Sequence, residues 1–139
     1  RALIDRKLTE SFMTENCPLA DLLGIETVED SAERVVARLT VREDHKTPTC
    51  VVHSGAILSL ADNCATFMAN RANNDGPNPD AFMVLIDLHS TMLGNQSEGV
   101  LTAESRVVRC GRRVTVIRTV VTGGNEKTLA DVTTTHIPA

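Results

Sequence analysis

The spacing of apolar residues changes character several times along the chain. Across residues 2–15, Leu3, Ile4, Leu8, Phe12 and Met13 recur at helical intervals, which predicts an amphipathic helix. "CPLADLLG" reads as a short helical turn, with Pro18 near its start and Gly24 at its end. "IETVEDSAERVVARLTV" then predicts two strands around a turn at residues 29–32. The second strand alternates, with Val35, Ala37, Leu39 and Val41 set against Arg34, Val36, Arg38 and Thr40. Residues 42–52 read as a loop, since Pro48 disfavours helix at Thr47. A long helix is expected from about Ser54 to about Asn70, followed by a loop over residues 71–80 rich in Asn, Asp, Gly and Pro.

The last third is strand-like. "AFMVLIDLHSTML" is mostly apolar, as expected of a central strand covered on both faces. "GVLTAESRVVRC", "RRVTVIRTVVT" and "TLADVTTTHI" follow. The connections "GNQSE", Gly111 and "GGNEK" read as short hairpins. No repeat or linker interrupts the order, so residues 1–139 are expected to form a single α+β domain. Its economical architecture is an antiparallel sheet wrapped around one buried helix.

Within the long helix, only Ser59, Asp62, Asn63 and Thr66 are polar between residues 56 and 69. Their i, i+3, i+4, i+7 spacing puts them on one narrow face. Such a stripe can simply face water. This one carries no Lys or Glu, however, and its only charge is a short carboxylate among hydroxyls and an amide. That suits a crevice or a subunit interface, where a partly buried carboxylate has a raised pKa and becomes a candidate base or nucleophile. The helix start offers unpaired N–H groups and the positive dipole end, and Gly55 permits close approach to the backbone, so a carbonyl oxyanion could be held there. Asp62 lies roughly 12 Å of axial rise from Ser54. One helix therefore cannot bring both to a single carbonyl, and a second copy is expected to supply one of them. His53 either caps the helix or touches the substrate; His45, His89 and His136 are expected to be structural.

The net charge of −4 and the absence of Trp and Tyr argue against a nucleic-acid surface. No apolar stretch approaches the roughly 18 residues of a membrane span. The charged start does not read as a signal-like run, and a cytoplasmic location is expected. Cys17, Cys50, Cys64 and Cys110 form no metal-ligand pattern and are expected to be reduced core thiols, so no metal is expected. "RVVRCGRRV" places Arg106, Arg109, Arg112 and Arg113 around a tight turn, and Arg71 ends the helix. They are either solvated or a phosphate site.

"VVHSGAILSLADNCATFMA" resembles the "HGG…LAD" segment of hotdog-fold thioesterases, specifically the PaaI-like acyl-CoA thioesterases of phenylacetic acid degradation. "VLIDLHSTML" and "LTAESRVVRCGRRVTVIRTVV" are similar to that group's next strand and hairpin, so the resemblance covers about residues 35–137. It implies a hotdog fold and hydrolysis of an acyl- or aryl-CoA thioester, with coenzyme A as part of the substrate and no other cofactor. It implies Asp62 as nucleophile or general base, and the Ser54 N–H as the group polarising the carbonyl. His53 and Gly55 match the motif, and Thr66 matches a hydroxyl that positions water or substrate. Arg71, Arg109, Arg112 and Arg113 would meet the coenzyme A phosphates. A homodimer or dimer of dimers with sites at the interface is implied. The chain departs from the pattern in having HSG for HGG, Thr47 where relatives carry an amide, and Leu85 where some carry a hydroxyl. An enoyl-CoA hydratase and a non-catalytic acyl-CoA binding or sensing module are the alternative functions on such a fold.

Overall fold

A computed structural model describes residues 17–139; the helix expected over residues 2–15 lies outside them. Helix α1 (Pro18–Leu23) has proline in its first turn and stops at Gly24, whose φ of +73° is the left-handed conformation that glycine adopts without strain. Strands β1 (Ile25–Asp30) and β2 (Val35–Thr40) follow. Their turn falls slightly later than the sequence suggests, because the Ser31 hydroxyl bonds the Arg34 N–H and carbonyl and closes it there. The long helix α2 (Ser54–Asn74) precedes β3 (Met83–Met92), β4 (Val100–Cys110), β5 (Thr115–Thr122) and β6 (Thr128–Pro138). The six strands form one sheet in the order β1-β2-β4-β5-β6-β3, with every neighbouring pair antiparallel.

Alternation along the strands sends Val35, Ala37, Leu39, Leu101, Ala103, Ile117, Val121, Ala130 and Val132 to the face that α2 covers, all fully buried. From the helix side, Ile57, Leu60 and Met68 fill the space. Ala61, Ala65 and Ala69 let the helix sit close to the strands. The far half of this inner face is polar. Ser105 and Thr119 share a 2.6 Å hydrogen bond, and buried His136 meets the Thr134 hydroxyl at 3.0 Å through Nε2. Among the described residues no helix is long and apolar enough to cross a membrane.

Four further expectations change. Helix α2 runs on to Asn74, into the stretch expected as a loop. The Asn70 side chain bonds both the N–H and the carbonyl of Met83, at 2.8 and 3.1 Å, and Asn73 bonds Ala81 O at 3.2 Å. These tertiary bonds hold a last turn that local propensity would release. Strand β3 is not central in the protomer; it is the edge strand, with Ile86 and Leu93 more than half exposed. "GNQSE" is therefore no hairpin, because β3 pairs with β6 and the segment crosses to β4. All four cysteines are free, but only Cys64 is a core thiol; Cys50 and Cys110 are exposed and Cys17 is half-buried.

Candidate active site

His53 caps α2 through its ring: Nδ1 accepts the Gly55 N–H at 2.8 Å. An accepting Nδ1 leaves the proton of the neutral imidazole on Nε2, as an outward donor. The Ala56 and Ile57 N–H groups both donate to His53 O, at 2.9 and 3.3 Å. Three of the first four helical N–H groups are thus engaged within the chain. Among the described residues no acceptor meets the fourth, that of Ser54. Gly55 has a more specific job than general openness. A Cβ there would stand 2.9 Å from His53 Nδ1 and 3.2 Å from Cε1, so glycine admits the capping ring. Gly55→Ala is expected to push the ring off and remove the cap, costing about 1 kcal/mol. Urea unfolding of Gly55→Ala, His53→Ala and the double variant should give losses that do not add, because both single changes break the same bond.

The polar stripe divides into separate tasks. The Ser59 hydroxyl turns back onto Gly55 O at 2.8 Å, and Asn63 Nδ2 reaches Cys17 Sγ at 3.4 Å, tying α2 to the start of α1. That leaves Asp62 and Thr66 as the pair open to other chemistry. Thr66 Oγ1 donates to Asp62 Oδ1 at 3.3 Å. Burial pushes the Asp62 carboxyl above its ordinary pKa, and the Thr66 hydrogen bond opposes the shift only in part. Beside the stripe, Ala20, Ile25, Thr27, Asn63 and Phe67 line a cleft of about 280 Å³ whose walls also include Asp21 and Glu26. It is mixed in polarity.

The arginines do not form one group. Arg71 approaches Asp30 on β1 at 3.6 Å, and Arg106 pairs with Glu104 at 2.8 Å. Arg109, Arg112 and Arg113 stay exposed at the β4–β5 turn and make no ion pair among the described residues. This turn is tied to the loop that follows α2, where Asn78 Nδ2 donates to Arg112 O at 2.7 Å. Sequence reasoning missed the groups that hold the segment before the cap. His53 N–H donates to the carbonyl of buried His45 at 2.8 Å, and the Asn95 side chain bonds Val52 O at 2.8 Å. No local signal marks Asn95, which lies in the segment that reads as a hairpin.

Comparison with known proteins gives this arrangement a context. The sequence model of the Thioesterase superfamily matches residues 50–130, the stretch from just before the cap through most of β3 to β6. A provisionally named esterase of Deinococcus radiodurans is 38% identical over 94 residues; the match spans 68% of this chain but only 57% of that protein. ComA2 of Bacillus subtilis, also a provisionally named esterase, is 34% identical over 100 residues, 70% of this chain and 75% of that protein. The solved structure of the E. coli PaaI protein, from the phenylacetic acid degradation operon, superimposes with a TM-score of 0.83 at 22% identity, covering 99% of this chain and 96% of that one. Sequence match and superposition converge on the same helix and sheet: the chain is a hotdog-fold member of the thioesterase superfamily.

Proposed function

We propose that the protein hydrolyses acyl- or aryl-CoA thioesters to the free acid and coenzyme A. The observation that carries this reading is the half-buried Asp62–Thr66 pair, on a helix whose N-terminus keeps one N–H unclaimed. The Asp62 carboxylate attacks the thioester carbonyl carbon or takes a proton from the water that does so. The Ser54 N–H meets the oxyanion that forms, with the His53 Nε2–H as the second donor we assign to it. Coenzyme A leaves as its thiolate, a good leaving group; on the nucleophilic route water then cleaves the acyl–Asp62 anhydride, which frees the acid and restores the carboxylate.

Separation along α2 requires two copies, so that Asp62 of one chain faces the helix start of the other. Strand β3 is the surface that favours this. It is an edge strand with unpaired backbone groups, and Ile86, Met92 and Leu93 are exposed along it. Pairing with a second β3 makes it central, which accounts for its apolar composition. Four free thiols suit the reducing cytoplasm.

The β4–β5 turn is the proposed phosphate contact. It adjoins the end of α2, roughly 18 Å of axial rise beyond Asp62, a reach comparable to an extended pantetheine arm. Replacing Arg112 and Arg113 together by Ala is expected to raise KM for a coenzyme A thioester about five- to tenfold with kcat nearly unchanged, since these contacts form equally in the ground and transition states. A pantetheine thioester lacking the nucleotide should show no such change in steady-state kinetics.

Product analysis tests the function. Incubation with saturated, aryl and α,β-unsaturated acyl-CoAs should release thiol and free acid in equal amounts. A hydrated acyl-CoA with its thioester intact would indicate a hydratase, and tight binding without any product would indicate a sensing module.

A further inference from the structure

The crossover from β3 to β4 is held first at its start. The N–H groups of Leu93 and Gly94 donate to Leu129 O on β6, at 2.8 and 3.2 Å. Two residues later the crossover grips Val52, which is fully buried and directly precedes the helix cap. The Val52 N–H donates to Gln96 O at 2.9 Å, and Asn95 Nδ2 donates to Val52 O at 2.8 Å. Asn95 Oδ1 accepts the Gln96 N–H at 2.8 Å. The two bonds leave one orientation for the amide, because only its nitrogen can serve a carbonyl and only its oxygen an N–H. Gln96 continues the chain of contacts: its Oε1 accepts the Gly124 N–H at 2.9 Å, beside the β5–β6 turn. A Cβ on Gly123 would stand 1.9 Å from that same oxygen.

We infer that Asn95 is a positioning residue: together with Gln96 it fixes Val52, and so sets where the cap of α2 and the Ser54 N–H stand. Asn95 touches neither the Asp62 pair nor the cap itself, and it acts through one backbone carbonyl. Its effect on rate rests on the thioesterase reading above; its effect on the backbone rests on the hydrogen bonds alone. The β5–β6 turn is linked to the same point through Gln96, so pressure there reaches the site from a distance.

Asn95→Asp is the most informative variant. It keeps the side-chain volume and an acceptor for the Gln96 N–H, but it turns a carboxylate oxygen toward Val52 O. Amide hydrogen exchange over residues 52–57 should quicken by about tenfold or more as the clasp opens. Thioester kcat per folded molecule should fall about tenfold or more, since a small misplacement of an oxyanion donor is costly, while KM stays within about twofold. Gly123→Ala should reproduce both changes in weaker form by displacing Gln96, which keeps the test open should Asn95→Asp fold poorly. A merely structural role would lower the melting temperature and leave kcat per folded molecule intact, and that result would overturn the inference. Unchanged exchange over residues 52–57 in both variants would overturn it as well. A wild-type protein that releases no thiol from any thioester would remove the proposed function; the exchange comparison would then decide the clasp by itself.

Discussion

Asp62→Asn is expected to lower thioester turnover by a factor of about 10² to 10⁴, the usual contribution of a positioned carboxylate acting as base or nucleophile. An amide keeps the shape of the side chain and a partner for the Thr66 hydroxyl, but it can neither accept a proton from water nor attack a carbonyl. The fold should survive. Burial raises the pKa of Asp62, so the ionised form is held at a cost in the folded state, and the neutral amide is expected to leave stability equal or slightly higher. The same shift sets the pH dependence. A raised pKa means the proton is retained to higher pH than on a free carboxyl, so kcat/KM should fall on its acid side above the ordinary aspartate range. Thr66 donates to the ionised form and lowers the pKa. Thr66→Val should therefore move the acid limb upward again, whereas Asp62→Asn should leave a residual rate without that limb. A pH–rate profile of the three proteins, with thermal melts alongside, separates loss of chemistry from loss of fold.

Acid is expected to destabilise the protein through a buried histidine of the sheet. His136 is fully buried on β6, in register with Thr115 of β5 and Leu85 of β3. One ring nitrogen meets Thr134, and Nδ1 is buried without a partner among the described residues. Burial depresses its pKa from 6.5 to about 4. The unfolded chain therefore takes up a proton near pH 6.5 that the folded chain refuses until about pH 4. Between those values the unfolded state binds more protons, so stability falls as pH falls through this window. The loss is absent above pH 6.5 and complete below pH 4, where it amounts to something on the order of 3 kcal/mol. His136→Leu removes the titration and the orphaned nitrogen together. Urea unfolding at pH 7.5 and pH 4.5 should show a stability difference for the natural chain that is largely absent in the variant. Equal differences in the two proteins would assign the acid sensitivity elsewhere.

Much of this molecule is legible in the order of its residues, for identifiable reasons. The alternation of Val35, Ala37 and Leu39, and the apolar circumference of α2, are period signals that the sheet and helix obey directly. Gly24 and Pro18 mark α1 because its ends depend on local backbone chemistry. The misread features depend on partners far along the chain. Helix α2 keeps its last turn because Asn70 and Asn73 bond Met83 and Ala81, contacts that no local pattern encodes. The apolar run of β3 signals a strand covered on both sides, but in one copy the strand stands at the edge. The polar stripe is visible as a periodicity, yet only the structure separates Ser59 and Asn63, which serve the fold, from Asp62 and Thr66. The arginines read as one cluster because they are close in sequence; in space Arg106 and Arg71 each meet a carboxylate and leave the turn to the other three. The clasp made by Asn95 and Gln96 was invisible, since hydrogen bonds from a crossover to a distant carbonyl leave no periodic trace.

The central claim is that Asp62 and the N-terminus of α2 from two different copies act on one thioester. Co-expressing Asp62→Asn chains with Ser54→Pro chains tests it most directly. Each variant alone should have lost most of its turnover, one for want of the carboxylate and the other for want of the N–H that meets the oxyanion, which proline at the first helical position removes without breaking a helical hydrogen bond. In a mixed assembly, one site joins an intact Asp62 to an intact helix start, and random pairing predicts recovery of about a quarter of wild-type thiol release. Recovery to that level would place the two halves of the site on separate chains; mixed assemblies as inactive as either variant alone would contradict the account.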